Sequence, residues 1–159
     1  MINILFVCMG NICRSPSAEG FFATALQESG FSEQISIDSA GTHGYHTGQA
    51  PDSRAVATAQ NFGVDIGHLR ARKVSVSDFE DYDLIIAMDH NNYEDLQRIR
   101  PSGSKASLKM MMQYHPHAPF EEVPDPYYGG MEGFNMMCKL LQSATQGLLK
   151  NIEGSLEQR

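Results

Sequence analysis

The stretch INILFVCMGNICRSPSAEG, residues 2–20, decides how the chain begins to fold. Its first six residues, apolar except for Asn3, have the composition and length of a buried strand. Ser15, Pro16 and Glu19 then supply a capping hydroxyl, a first-turn proline and an early acid, which together mark a helix start. Residues 8–15 are therefore predicted to be a loop that joins the end of a strand to the start of a helix.

The alternation of strands and helices continues along the rest of the chain. Alternating apolar and polar residues predict a short strand at 35–39, DLIIAM predicts a buried strand at 83–88, and a third central strand is expected at 106–111. Helical spacing and stop signals predict helices at residues 53–62, at 90–99 and from Met131 onward. A glycine-rich segment (41–52) and a proline-rich segment (115–130) are predicted to be loops. This order is typical of an α/β fold with a parallel sheet, in which ligands bind at the carboxyl ends of the strands.

Length and composition limit the range of functions. The 159 residues fit a single domain spanning 1–159. No apolar stretch reaches the roughly 18 residues of a membrane span, and the first residues lack the basic region of a signal peptide, so we expect a cytoplasmic protein with no membrane partner. The net charge of −7 argues against nucleic acid as the main partner.

The chain contains three cysteines, Cys8, Cys13 and Cys138. An odd number in a reducing compartment does not indicate a disulfide framework. No closely spaced CxxC or HxxxH pair suggests a zinc site, so we expect neither a metal nor another cofactor. Cys138 has core spacing on the last predicted helix, which favours a packing role. The two cysteines of the first loop require another explanation.

The first loop has the composition of an anion site. Gly10 allows the backbone to turn its N–H groups inward, and Arg14 adds a planar cation suited to two phosphate oxygens. The helix dipole, Arg14 and the Ser15 hydroxyl would stabilise a thiolate at Cys8, which is able to attack a bound phosphate. The alternative is a Cys8 that packs as a small apolar residue near a helix start. Gly10, Arg14 and the helix start favour the nucleophile.

The segment CMGNICRSPSAEG resembles the C-x5-R-S phosphate loop of the low-molecular-weight protein tyrosine phosphatases. Segments 38–55, 71–92 and 123–134 resemble further parts of that family, so the resemblance covers nearly the whole chain. It implies a three-layer sandwich with a central four-stranded parallel sheet and helices on both faces. It also implies hydrolysis of phosphotyrosine and other aryl phosphate monoesters through a cysteinyl-phosphate intermediate.

The resemblance also implies roles for individual residues. Cys8 would be the nucleophile, with Arg14 as a further catalytic residue. Asp125 would be the general acid, although an Asp before a proline is equally typical of a solvated turn. Phosphate would lie against a loop formed by Met9, Gly10, Asn11, Ile12, Cys13, Arg14 and Ser15. The cleft walls would be Tyr45, Tyr127 and Tyr128, and the loop would be supported by Asn11, Ser15, Ser39, His68 and Asp89. Cys13 would form a reversible disulfide with Cys8 on oxidation.

Three other functions remain open from the sequence. An arsenate reductase on the same fold needs further redox cysteines, and residues 80–90 contain none. A protein-arginine phosphatase is the second alternative. Such enzymes carry a threonine at the position of Ile12, which favours a phosphoguanidinium, whereas the apolar Ile12 favours an aryl ester. A phosphotyrosine-binding module without activity is the third alternative. The expected partners are a phosphotyrosine protein, with a bacterial tyrosine kinase as one candidate, and inorganic phosphate as product. The protein itself is expected to be a monomer or weak dimer.

Overall fold

A computed structural model describes residues 1–127 and 129–157. Its centre is a sheet of four parallel strands in the order β2-β1-β3-β4. The strands are β1 (Ile2–Cys8), β2 (Ile35–Gly41), β3 (Leu84–Ala87) and β4 (Ser107–Met110). The chain moves to one side of β1 and then to the other, which opens a crevice beyond the carboxyl end of β1. This crevice is where residues 8–15 lie.

Five helices connect or follow the strands, because parallel neighbours require crossover connections. They are α1 (Arg14–Gln27), α2 (Ser53–Asn61), α3 (Asp78–Asp81), α4 (His90–Ile99) and α5 (Met131–Glu157). A single 3-10 turn, Met111–Tyr114, follows β4. None of the helices in the described ranges has the length and apolar character needed to cross a bilayer.

The two faces of β1 belong to separate apolar cores. Ile4 and Phe6 pack on the side of α1, α2 and α5, where the ring centroids of Phe6 and Phe22 are 5.8 Å apart. Leu5 and Val7 pack on the opposite side with residues of α3 and α4. Side chains of a strand alternate between faces, so the four consecutive apolar residues 4–7 contribute to both cores. The prediction of a three-layer α/β sandwich is confirmed.

The structure corrects the predicted start of α1. The helix begins at Arg14 with Cys13 in the N-cap position, and no side chain caps it. The prediction that Ser15 caps the helix is wrong, because the Ser15 hydroxyl accepts a hydrogen bond from Asn11 and lies 3.1 Å from the Cys8 sulfur. A cap signal read from sequence therefore marked a residue of the functional loop.

Smaller differences concern the edges of the other elements. The strands predicted at 83–88 and 106–111 are shorter in the structure, as β3 and β4. The four-residue helix α3 was not predicted, because a segment of that length has no recognisable hydrophobic period. The other predicted helices and strands agree with the structure to within a few residues.

Candidate active site

The loop that follows β1 is fixed to its neighbours by backbone hydrogen bonds. The carbonyls of Cys8 and Met9 accept from the amides of Thr42 and His43, at 2.9 and 3.0 Å. The loop also approaches the end of β2 closely, because a Cβ added to Gly41 would lie 2.7 Å from the Met9 carbonyl oxygen. Packing this tight holds the loop in one conformation.

The strained residue of the loop is Asn11 rather than Gly10. Asn11 has a φ of 58°, the left-handed region that non-glycine residues rarely adopt, whereas Gly10 has no positive φ. The expectation that Gly10 provides the backbone freedom of the turn is therefore wrong. Gly10 instead leaves room for His46, since an added Cβ would lie 3.1 Å from its ring.

Hydrogen bonds on both ends of its amide hold Asn11 in this conformation. Its Nδ2 donates to the hydroxyls of Ser15 and Ser39, at 2.7 and 3.0 Å. Its Oδ1 accepts from the backbone amide of Arg72 at 3.0 Å. The structure thus brings Asn11, Ser15 and Ser39 together, as the sequence predicts for the loop support.

The structure does not bring His68 to this group. His68 is exposed, and no hydrogen bond of its side chain is found in the described part of the chain. The backbone of Arg72, four residues later, takes the supporting position instead. The prediction of a support role for His68 fails because a polar residue near a loop in sequence can still face the solvent.

The Cys8 side chain lies at the base of the loop and is only 3% exposed. Its sulfur accepts a hydrogen bond from the Asn11 amide at 3.3 Å and lies 3.1 Å from the Ser15 hydroxyl. The left-handed conformation of Asn11 directs its backbone N–H at the Cys8 sulfur. The sulfur is thus held at the base of the loop by two polar groups of the loop itself.

Arg14 is also 3% exposed and is held by two partners from other elements. Its Nη1 donates to Asp89 Oδ2 at 2.6 Å and to the Val123 carbonyl at 3.1 Å. Burial alone would lower the pKa of the guanidinium, but Cys8, Asp89 and Asp125 raise it above its ordinary value. Arg14 is therefore a permanent cation in a fixed orientation, and Asp89, at the end of β3, is its anchor.

Asp125 approaches the cleft from the proline-rich segment before α5. Its Oδ2 lies 3.6 Å from Arg14 Nη2, and its Oδ1 accepts from the Tyr127 amide at 3.0 Å. The carboxyl side chain is 39% exposed, so it can exchange protons with solvent. A thiol, a buried cation and an accessible carboxyl thus meet in one cleft.

The cleft above Cys8 is a cavity of about 240 Å³. The structure places ten residues around it: Cys8, Met9, Gly10, Ile12, Cys13, Arg14, Tyr45, His46, Asp125 and Tyr127. Tyr45 stacks on His43 with ring centroids 5.4 Å apart, and it remains 74% exposed. Tyr128, which the sequence predicts as a third aromatic wall, lies outside the described residues. The histidine of the wall, His46, was missed because nothing in its sequence context distinguishes it from a loop residue.

The second cysteine of the loop, Cys13, is buried and has a free thiol, as do Cys8 and Cys138. Burial raises the pKa of Cys13 well above that of an ordinary thiol, with a further contribution from Asp52. Burial likewise raises the pKa of Cys138 to about 12. Cys13 and Cys138 are thus held in the protonated form at neutral pH.

Sequence reasoning also missed Glu19, one helical turn after Ser15. The Ser39 hydroxyl donates to Glu19 Oε1 at 2.7 Å, which extends the group of Asn11, Ser15 and Ser39 by one residue. Burial raises the pKa of Glu19 from 4.5 to about 7, against the opposing effect of the Ser39 hydrogen bond. From the sequence, Glu19 is interpreted only as an acidic residue that marks a helix start.

The raised pKa of Glu19 predicts a specific pH dependence of stability. The folded state holds this proton more tightly than the unfolded chain, so the contribution of Glu19 is complete below about pH 4.5 and is lost as the pH rises to about 7. Glu19→Gln keeps a hydrogen-bond acceptor for Ser39 but cannot ionise. Between pH 5 and pH 8 we expect the wild type to lose up to about 3 kcal/mol more unfolding free energy than Glu19→Gln. Urea unfolding at the two pH values measures this difference, and equal losses would contradict the buried, proton-binding state of Glu19.

Comparisons with known proteins agree with this geometry. Residues 3–158 match the family model described as low molecular weight phosphotyrosine protein phosphatase. The protein of that name from Schizosaccharomyces pombe is 41% identical over 95% of this chain and 97% of its own. The solved structure of a protein tyrosine phosphatase from Entamoeba histolytica, 38% identical, superposes with a TM-score of 0.94 over 98% of this chain and 99% of its own. A Drosophila arginine phosphatase, 28% identical, superposes with a TM-score of 0.87 over 94% of this chain and 96% of its own.

Proposed function

The chain belongs to the low molecular weight phosphotyrosine protein phosphatases, and on that premise we propose that it hydrolyses phosphotyrosine through a phosphate ester of the Cys8 sulfur. Family membership makes it a protein-tyrosine-phosphatase that acts on phosphoprotein substrates. The assignment of individual residues is supported by one observation in particular. Cys8 and Arg14 come from the loop after β1, Asp125 comes from a segment more than a hundred residues later, and all three line the same cleft.

In the first step, Cys8 attacks the phosphorus of the bound monoester. A sulfur–phosphorus bond forms and the bond from phosphorus to the tyrosine oxygen breaks, while Asp125 gives its proton to that leaving oxygen. The loop residues Met9, Gly10, Asn11, Ile12, Cys13, Arg14 and Ser15 surround the phosphoryl group. Arg14 holds two of its oxygens with its planar fork, which Asp89 keeps in place.

In the second step, water replaces the sulfur. The Asp125 carboxylate takes a proton from a water molecule, whose oxygen attacks the phosphorus while the sulfur–phosphorus bond breaks. Inorganic phosphate leaves, Asp125 is again protonated and Cys8 returns as a thiolate. The Ser15 hydroxyl and the Asn11 amide, both in contact with the sulfur, stabilise this leaving thiolate.

The cleft walls favour a flat leaving group. Tyr45 and Tyr127 flank the entrance above Cys8, and aromatic faces contact an aryl ring well. Ile12 adds an apolar surface and is 8% exposed. A phosphorylated tyrosine side chain fits this combination of an apolar channel and a polar base. The phosphoserine side chain is shorter and has no ring, so it makes no contact with the walls when its phosphate lies at the base.

The similarity to an arginine phosphatase makes phosphoarginine the second candidate substrate. Ile12 opposes it, because an apolar side chain leaves the charged nitrogens of a phosphoguanidinium without partners. We expect kcat/KM for a phosphotyrosine peptide to exceed that for the matched phosphoarginine peptide by at least about tenfold. Phosphate release from the two peptides measures the ratio, with the phosphoserine peptide as the control. A ratio below one would replace tyrosine by arginine as the substrate residue, and no turnover of either peptide or of p-nitrophenyl phosphate would favour a binding module.

We further propose that oxidation links Cys8 and Cys13. The Cys8 sulfur would attack one oxygen of a hydroperoxide, breaking the O–O bond and giving a sulfenic acid and an alcohol or water; the Cys13 sulfur would then attack the Cys8 sulfur, form the disulfide and release water. Such a switch and the catalytic thiol both need a reducing compartment for recovery, which supports the cytoplasm as the location. A phosphorylated bacterial tyrosine kinase is the first protein substrate to test, with Cys8→Ser as the trap.

A further inference from the structure

The carboxyl that serves as general acid lies in a segment with little regular structure. Residues 121–127 contain no helix or strand, and Asp125 is on the outer side of the cleft. Proton transfer to a leaving oxygen requires this carboxyl to lie within hydrogen-bond distance of that oxygen. Some contact must therefore hold the segment at a distance from the phosphate loop that lets the Asp125 carboxyl reach the leaving oxygen.

One contact reaches the segment from the opposite side of the cleft. Arg54, at the start of α2, donates from Nη2 to the Tyr127 carbonyl at 3.1 Å. The amide of the same residue, Tyr127, donates to Asp125 Oδ1 at 3.0 Å. The backbone of one residue thus connects the guanidinium of Arg54 to the carboxyl of Asp125.

Arg54 is itself fixed in place by contacts on two sides. Asp52 accepts from its Nε and Nη2 at 3.0 and 2.9 Å, which is a two-point contact that fixes the plane of the guanidinium. The hydrogen bonds from Arg54 lower the pKa of Asp52, so the pair is charged. The guanidinium also lies over the rings of Phe134 and Tyr127, at 4.7 and 5.6 Å from their centroids.

The same group is joined to the phosphate loop. The Asp52 amide donates to the Ile12 carbonyl at 2.8 Å, so Asp52 is anchored to the loop that surrounds Cys8. A continuous series of hydrogen bonds therefore runs from the Ile12 carbonyl through Asp52, Arg54 and Tyr127 to Asp125. It sets the distance between the nucleophile side and the acid side of the cleft.

We propose that Arg54 is a positioning residue that fixes the general acid by holding the Tyr127 backbone to the phosphate loop. This inference rests on the proposed acid role of Asp125. Arg54 does not line the cavity, and phosphate binding is left to Arg14 and the loop. Loss of Arg54 therefore weakens proton donation to the leaving group and spares the attack by Cys8.

Leaving-group dependence separates this role from a general structural one. Phenyl phosphate needs the proton of the acid far more than p-nitrophenyl phosphate, whose leaving group is a stable anion. Arg54→Met keeps the apolar length of the side chain and removes the fork, and we expect it to lower kcat/KM about tenfold for phenyl phosphate and less than about threefold for p-nitrophenyl phosphate. Arg54→Lys keeps the charge but not the two-point contact, and we expect the same selectivity with a smaller loss.

The control is Arg98→Met, which removes an arginine that pairs with Asp95 at 2.8 Å on the exposed side of α4. It should leave the ratio of the two kcat/KM values unchanged. In the Asp125→Ala background, Arg54→Met should cause no further selective loss, because the residue through which it acts is gone. If Arg54→Met fails to fold, Arg54→Lys carries the same comparison.

Four results would overturn the inference. An equal loss on both substrates would show that Arg54 has only a general structural role. A selective loss that Arg54→Met still causes in the Asp125→Ala background would show that Arg54 does not act through Asp125. If Asp125→Ala itself slows both substrates equally, the acid role fails first and the positioning role fails with it. A selective loss in Asp125→Ala together with wild-type behaviour of both Arg54 variants would reject the role of Arg54 alone.

Discussion

Cys8→Ser is expected to lower kcat for p-nitrophenyl phosphate by at least about ten-thousand-fold. A serine hydroxyl is a far weaker nucleophile toward phosphorus than the sulfur of a cysteine in the same place, so the first covalent bond to phosphorus does not form. The contacts of Arg14 with Asp89 and Val123 do not involve Cys8, so phosphate binding should persist in this variant. Stopped assays of p-nitrophenol release, together with the affinity for inorganic phosphate, measure both parts.

The matched control is Cys138→Ser. Cys138 is a second buried thiol with no exposed surface, on α5 and outside the cleft. Its replacement is expected to lower stability by a few kcal/mol at most, as for other buried polar substitutions, while kcat of the folded protein stays near the wild-type value. Turnover by Cys8→Ser within a factor of ten of the wild type would remove Cys8 as the nucleophile.

Asp125→Ala is expected to lower kcat/KM for phenyl phosphate by about a hundredfold to a thousandfold, and for esters of acidic phenols by much less, because kcat/KM reports the step in which the phenolate leaves. The proton of Asp125 matters most when the leaving phenolate is a strong base, so the loss should grow with the basicity of the leaving phenol. A series of substituted phenyl phosphates measures this trend as the slope of log kcat/KM against the acidity of the phenol. The slope should be steeper in Asp125→Ala than in the wild type.

Asp65→Ala provides a control with the same local structure. Asp65 Oδ1 accepts from the Gly67 amide at 3.0 Å, just as Asp125 accepts from the amide two residues later, but Asp65 lies outside the cleft. Removing this turn contact should leave the slope unchanged. Parallel slopes for Asp125→Ala and the wild type would exclude Asp125 as the acid, whatever the size of the overall loss.

The fold and the centre of the site were predictable from sequence because both depend on local patterns. Unbroken apolar runs marked the central strands, and the loop of residues 8–15 carried its chemistry in consecutive residues. Asp125 was separated from that loop by more than a hundred residues, and the resemblance to a known family was needed to connect the two. Its proline-rich surroundings alone were equally typical of a solvated turn.

The parts that sequence reasoning missed depend on contacts between distant segments. Glu19 had the pattern of an ordinary helix-start acid, and only the fold shows that the hydroxyl of Ser39 meets it in a buried place. Arg72 supports Asn11 with a backbone amide, a group that every residue other than proline possesses, so no sequence pattern indicates it. Arg54 is similar, since its partners come from segments that are far apart in the chain.

The same limitation explains the two errors at the loop. Ser15 and Gly10 each had a common local role, as a helix cap and as a flexible turn residue. The structure uses Ser15 to contact the Cys8 sulfur and gives the left-handed conformation to Asn11, whose side chain is held at three points. A site that needs a donor directed at sulfur overrides the local preferences of its residues.

The most direct test of the central claim is the mass of the peptide that contains Cys8, taken from Asp125→Ala during turnover of p-nitrophenyl phosphate and stopped by rapid denaturation. Loss of Asp125 removes the base that activates water, so the phosphorylated enzyme should accumulate. We predict one phosphoryl group on Cys8 in a large fraction of the molecules, and none in Cys8→Ser. An unmodified Cys8 during active turnover, or a phosphoryl group on another residue, would contradict the account.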